Sequence, residues 1–267
     1  MKRKFVYPIL VIIVTICFYY VEKHIDAQKP NSMENNTIGD DEFGFFYLPT
    51  STTGAIVTHQ NYFLSYSETH EQPEWVAYEL KKEHLSKNDY KRPFFEMDAK
   101  VRSSSADWRN YKKSGFDKGH LCPAGDRRFT YKAFKETFLT SNIAPQDHDF
   151  NAGIWNRLEQ KVRYWAKKYD GVYVVTGGVL SKDLKTIGYE AVTVPDYFYK
   201  IILDKEAKNT KMIAFLIPHK DTNKSLQSFV VTTDEIEALT GIDFFSKLPD
   251  NIEEKLEKSS SIDGWKF

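Results

Sequence analysis

The chain has 267 residues, 41% hydrophobic and 15% aromatic, enough for one large domain or two small ones with a sizeable core. Lys+Arg and Asp+Glu both number 37, so the overall charge argues for no polyanionic partner. The two cysteines, Cys17 and Cys122, stand in segments of different character and exclude a disulfide framework, while the lack of Cys-x-x-Cys or His-Glu-x-x-His leaves zinc without support.

In chain order, Lys2, Arg3 and Lys4 precede an apolar run from Phe5 to Val21. A basic start followed by a stretch long enough to span a bilayer predicts a signal-anchor or signal peptide over residues 1–21. No small-x-small cleavage site follows closely, which favours an uncleaved anchor over secretion or periplasmic release after cleavage. Either way the remainder is expected to be exported, on the non-cytoplasmic side. Residues 22–44 are polar, carry Pro30, Asn35, Asn36 and Gly39 without an apolar period, and read as a linker before a domain over 45–267.

Short runs rich in aromatic and β-branched residues predict strands at 57–66, 74–80, 172–176, 191–194, 197–203 and 212–217. Helices are predicted at 151–168, at 233–239 behind a Thr232/Thr233 cap signal, and at 250–257. Strands and helices without strict alternation indicate an α+β fold with a mostly antiparallel central sheet and flanking helices. In the helix from Asn151, residues Ile154, Trp155, Leu158, Val162 and Trp165 form one apolar stripe. At 100° per residue Asn151 lies within about 20° of the stripe's centre at Leu158, so its amide points toward the protein body. Asn151 also suits a helix cap, and Glu159 with Arg163 also suits a surface ion pair.

Charge is unevenly distributed. Residues 81–135 carry 15 Lys+Arg against 7 Asp+Glu, and residues 234–257 carry 8 acids against 2 bases. A basic middle beside an acidic tail fits either a nucleic-acid footprint or a solvated surface. Arg92, Lys100, Arg102, Arg109, Lys112, Lys113, Arg127 and Arg128 are the candidate phosphate contacts.

The densest chemistry lies in Phe116-Asp117-Lys118-Gly119-His120-Leu121-Cys122-Pro123-Ala124-Gly125-Asp126, a histidine, two carboxylates and a cation on a backbone shaped by glycine and proline, and, further on, in Ser141-Asn142-Ile143-Ala144-Pro145-Gln146 running to Asn151. Phosphodiester cleavage needs a base, a cation against the charge that develops, and stabilisation of the leaving oxygen. His120 suits the base, since an unperturbed imidazole titrates near neutrality. Asn151 offers an oxygen to a hard cation such as Mg²⁺, with Glu159 placed to hold the ion's waters. Asp147-His148-Asp149 is a competing metal cluster, and Cys122 reads as a small packed residue rather than a nucleophile.

These segments, with Trp155, Leu158, Glu159 and Arg163, resemble the DNA/RNA non-specific endonuclease family, which includes endonuclease G and secreted bacterial nucleases. The likeness continues through Lys91-Arg92-Pro93-Phe94, Val175-Thr176-Gly177-Gly178, Val194-Pro195-Asp196-Tyr197-Phe198-Tyr199-Lys200 and Thr233-Asp234-Glu235-Ile236-Glu237, spanning roughly residues 45–250. The resemblance implies a ββα-metal (His-Me finger) fold and a Mg²⁺-dependent endonuclease of DNA and RNA, with Mn²⁺ or another divalent ion as a substitute. It implies catalytic roles for His120, Arg92, Asn142, Glu159 and Arg163, substrate binding by Lys118, Arg92 and Arg163, and Asn151 as metal ligand. Asn142 would support the histidine or its water network. Lys118 departs from the family's arginine, keeping the charge and losing the bidentate fork toward phosphate. The other reading is a catalytically inactive nucleic-acid binding protein that keeps the basic groove. An oligomer is not indicated.

Overall fold

The computed structural model of the chain describes residues 47–204 and 210–267. The expected N-terminal anchor and linker lie outside the described residues. Among the described residues no helix is long and apolar enough to cross a membrane.

In chain order the strands and α-helices are β1 (Ile56–Thr58), β2 (Phe63–Ser67), β3 (Gln72–Leu80), β4 (Asp117–His120), α1 (Tyr131–Glu136), β5 (Ile143–Gln146), α2 (His148–Phe150), α3 (Asn156–Lys168), β6 (Val172–Gly178), β7 (Thr186–Ile187), β8 (Val192–Thr193), β9 (Tyr197–Asp204), β10 (Lys211–Pro218), β11 (Val230–Val231), α4 (Thr233–Thr240) and α5 (Asp250–Glu257). A seven-stranded sheet runs β1-β2-β3-β6-β9-β10-β11, with every described neighbour pair antiparallel. This is the expected α+β architecture.

Both faces of that sheet are covered, so successive residues of one strand enter two different cores. On one face Val76, Tyr78, Val174, Phe198 and Ile202 pack against Leu158, Val162 and Trp165 of α3. On the other, Trp75, Ala77, Val175, Ile201 and Leu203 pack against Ile236 of α4 and the Ile242–Leu248 segment. Burial on both sides explains why these strands read as nearly continuous apolar runs.

Two expected elements are corrected. The predicted strand over 57–66 is a hairpin, β1 and β2, closed by a His59 N–H to Tyr62 carbonyl bond of 3.0 Å. The His59-Gln60-Asn61 polar run supplies the turn. The predicted helix over 151–168 starts earlier, at His148, and is π-helical over Asn151–Trp155 before α3 begins. Gly153 leaves helical geometry there, at φ −91° and ψ −108°. A Cβ on Gly153 would meet Asp221 Oδ1, so any side chain there would displace the Asp221 carboxylate.

The two-stranded ribbon β4–β5, leading into α2 and α3, is the ββα unit. Its register pairs His120 with Ile143 and Gly119 with Ala144. A Cβ on Gly119 would fall 2.2 Å from Gln146 Oε1, which fixes glycine beside the histidine.

Candidate active site

His120 ends β4, where its imidazole meets the ring of Phe138 edge-on at 4.9 Å and that of Phe95 at 5.5 Å. Nε2 is buried and has no hydrogen-bond partner among the described residues. Desolvation, reinforced by the nearby Arg92 charge, pushes His120 down to about 3, so the ring is neutral at physiological pH. Arg92 lies over the same two aromatic rings, 5.6 Å from Phe95 and 5.5 Å from Phe138.

Asn142 is fully buried behind this arrangement and does not line the cavity in front of His120. Its Oδ1 accepts from Cys122 N at 2.8 Å, and its Nδ2 donates to the carbonyls of Cys122 and Thr137, both at 2.9 Å. Its amide therefore braces the backbone that leaves His120. Cys122 is buried and its thiol is pushed up to about 12, as a packed residue would be.

Asp147 caps the helix that carries Asn151. Its Oδ1 accepts from the N–H groups of Asp149 and Phe150, both at 3.0 Å. Asn151 thus is not the cap. Asp117 Oδ2 accepts from Asn151 Nδ2 at 3.1 Å and pairs with His148 Nδ1 at 2.9 Å. A carboxylate is an acceptor only, so it takes the amide nitrogen and leaves Asn151 Oδ1 free for a cation. This fits a hard ion that uses one neutral protein oxygen. Asp147, committed to capping, and His148, committed to Asp117, do not form the competing metal cluster. The imidazole of His219 accepts from Asp147 N at Nε2 (2.7 Å) and bonds the Pro195 carbonyl through Nδ1 (2.7 Å), anchoring the helix start to the main sheet.

Glu159 and Arg163 form an ion pair at 3.1 Å with side-chain exposures of 14% and 17%, so it is not a surface pair. Arg163 Nε also donates to the buried Asp126, whose other oxygen accepts from Tyr78. A Cβ on Gly125 would sit 2.8 Å from Arg163 Nη2, so glycine admits the guanidinium. Burial raises the Glu159 pKa, against the opposing charges of Arg163 and Lys200. Lys200 is a buried lysine of β9 beneath the site, 4.6 Å from the Trp155 ring centre and 3.1 Å from Thr176 Oγ1, and is lowered to about 8 by burial.

Arg92, His120, Asn151, Glu159 and Arg163 line one open cavity of about 290 Å³, with Arg128 at its edge. Lys118 is adjacent, half-buried on the same face of the ribbon as His120, with Nζ 5.2 Å from the Phe95 ring centre. Burial and the Arg92 charge lower its pKa. One candidate phosphate contact is corrected. Arg127 is 1% exposed, donates to the carbonyls of Asn61, Glu79 and Asp126, and is a structural brace. Arg109 pairs with Asp107, and Lys100 donates to the Thr58 carbonyl.

The sequence reading assigned no role to Asp126, Phe95, Phe138, Gly125 or Lys200. The available signal for Lys200 was a charge inside the apolar run from Tyr197 to Leu203. Nothing local marks Phe95 or Phe138, and the partners of Gly125 and Asp126, both inside the central motif, depend on contacts across the fold.

Residues 41–251 match the model of the DNA/RNA non-specific endonuclease family. The chain is 35% identical to the mitochondrial nuclease EXOG of Danio rerio, over 77% of this chain and 64% of that protein. It is 32% identical to a nuclease of Nostoc sp., over 78% of this chain and 80% of that protein. A crystal structure of an EndoG/EndoGI complex contains a chain that superposes with a TM-score of 0.68 at 32% identity, covering 73% of this chain and 86% of that one. The chain spans just under two thirds of the EXOG proteins it matches, between 62% and 65% of their length. With the family model covering most of its length and a ββα unit carrying the histidine and asparagine, the chain belongs to the DNA/RNA non-specific endonuclease family.

Proposed function

We propose that the protein is a Mg²⁺-dependent, sugar-non-specific endonuclease that hydrolyses phosphodiester bonds of DNA and RNA, with His120 as general base and Asn151 as metal ligand. The observation that carries this reading is the convergence of Arg92, His120, Asn151, Glu159 and Arg163 on one cavity. The similarity to nucleases from animals and a cyanobacterium supports the same reading.

A divalent ion held by Asn151 Oδ1 would neutralise charge on the phosphate and on the departing oxygen. His120 takes the proton from the attacking water. Nε2 is buried, so Nδ1 is assigned as the accepting nitrogen. Burial and the Arg92 charge keep the ring unprotonated before attack. Glu159 is fixed by Arg163 and would hold waters of a bound ion through its carboxylate. Arg92, which forms no ion pair among the described residues, contacts the phosphate, as does Lys118. Arg163 spends Nε and Nη2 on Asp126 and Glu159 and adds charge through the remaining Nη1. These contacts reach the sugar–phosphate backbone and none selects a base, which supports acceptance of both sugars.

The basic start and apolar run before Val21 support export and attachment to a membrane. The inactive-binder reading is not favoured, since binding a polyanion needs neither a neutral histidine nor an oriented asparagine oxygen. The test is cleavage of DNA and RNA of matched length and sequence, with Mg²⁺, Mn²⁺ or chelator. Metal-dependent cutting of both at rates within about tenfold supports the proposal, a gap of 1.4 kcal/mol or less in barrier. Cutting of one alone, or of either in chelator, contradicts it.

A further inference from the structure

The acidic tail seen in the sequence has no part in the proposed chemistry. In the fold its carboxylates gather on the sheet face opposite α3. Asp234, Glu237 and Glu257 form one group and Asp243, Glu253 and Glu257 a second, each with ligand oxygens within 4.8 Å of one another. Glu237 lies on α4, Glu253 and Glu257 on α5, and Asp243 in the connection between them. Glu257, shared by both groups, is 7% exposed, and its Oε1 is buried without a hydrogen-bond partner. Glu253 Oε1 is likewise buried and unpartnered. Glu237 Oε1 is held by Phe244 N at 2.8 Å, which fixes one edge of the cluster.

Carboxylates gathered this closely, two of them with a buried and unpartnered oxygen, are unfavourable unless a proton or a cation lies between them. Two oxygens bound to the same Ca²⁺ at about 2.4 Å lie no more than about 4.8 Å apart, so each group is compact enough for its oxygens to share one such ion. Mg²⁺ demands shorter bonds in a near-ideal octahedron and keeps most of its waters, so it suits a many-carboxylate cradle less well. Burial and the neighbouring carboxylates push Glu257 up to about 8, so the competing solution is a shared proton. We propose that the α4–α5 carboxylates, centred on Glu257, form a second, structural cation site that takes Ca²⁺ and ties α4 to α5, apart from the site at Asn151.

Thermal unfolding of the full chain carrying Asn151→Ala, which silences the other candidate cation site, tests this. The scan runs in chelator and in Ca²⁺ from about 10 μM to about 5 mM, the range of extracellular calcium modules. The melting temperature should rise saturably, by several degrees, and less with Mg²⁺ at equal concentration. Adding Glu257→Gln should abolish the rise while leaving the melting temperature in chelator unchanged or higher, because a repulsion is removed. Should that variant fail to fold, Asp243→Asn, at an exposed position, should shift the calcium midpoint at least about tenfold higher. On an otherwise native chain, Glu257→Gln should leave DNA cleavage in Mg²⁺ unchanged. A melting temperature indifferent to Ca²⁺, or a calcium rise that survives both substitutions, overturns the proposal and assigns the cluster to a shared proton.

Discussion

At the residue scale the site works through orientation. Asp117 does not line the cavity, yet its carboxylate takes the Asn151 amide nitrogen and so decides which end of the amide is left for the proposed cation. Asp117→Asn removes that bias, because an amide partner accepts or donates equally well. Divalent-ion affinity measured by calorimetry should fall about 10–100-fold, as for other outer partners of metal ligands, while the fold is retained. An unchanged affinity would show that Asn151 is oriented by something else. The charged and polar residues that face the cavity were legible in the sequence because each is a chemically marked type at a recognisable spacing, whereas its Phe134 and Phe138 walls were not. Asn142 shows where such reading stops. Its type and place suggested support for the histidine or its water network, and the atoms it bonds are the backbone groups of Cys122 and Thr137, behind His120. Which atoms a buried amide bonds is a property of the fold, not of the motif.

At the scale of elements, the ribbon and the interrupted helix set the site's dimensions. Gly119 is where β4 must let Gln146 cross, and Gln146 is wholly buried with both amide atoms unpartnered, so it has little room to yield. Gly119→Ala should therefore destabilise by about 1–3 kcal/mol through overpacking. That is a melting temperature lower by roughly 2–10 °C for a domain this size. Gln146→Ala in the same chain should recover much of the loss, and a double-mutant cycle reads the coupling. Independent, additive effects would rule out the contact. The hairpin at His59–Tyr62 and the π-helical turn at Asn151–Trp155 were both missed by periodicity. A uniform step of 100° per residue has no place for an inserted residue, and a strand pattern does not see a tight turn inside it. The direction expected for Asn151 nevertheless agrees with its place at the cavity, although the geometry that puts it there is different.

For the whole molecule, the sheet carries two cores, and the histidines contribute to its pH response. Burial lowers His120 to about 3 and His84 to about 4, and it also lowers His219, from an ordinary value of 6.5. In each case the unfolded chain takes up the proton first. Stability from these groups is whole above 6.5 and is lost as pH falls toward the folded values. His59, raised by Asp98 and Glu136 against its burial, acts with the opposite sign and loses its contribution as pH rises through its folded value. The denaturant midpoint of the parent should therefore fall relative to that of His120→Ala between about pH 6.5 and about pH 4, and a difference that does not change with pH would contradict the burial of that ring. Charge acts at the same scale. Arg92, Arg128 and Lys118 around one cavity predict that DNA and RNA affinity falls steeply with salt, log K against log salt having a slope of roughly −2 to −3. Retention of affinity at high salt would point to base contacts instead. The sheet as a whole was legible, since β3, β6, β9 and β10 are long apolar runs, whereas β4 and β5 were hidden by their glycine, proline and polar content.

The most direct test of the account separates cutting from binding in His120→Ala. Full-length protein and variant are given plasmid DNA and RNA with Mg²⁺, and affinity for an uncleaved substrate is measured by anisotropy in chelator. The account predicts a loss of about 10²–10⁴-fold in cleavage rate on both substrates, with binding within about twofold of the parent. Cleavage that persists in the variant, or a parent that binds and cuts neither substrate with any divalent ion, would contradict the assignment of His120 as the base.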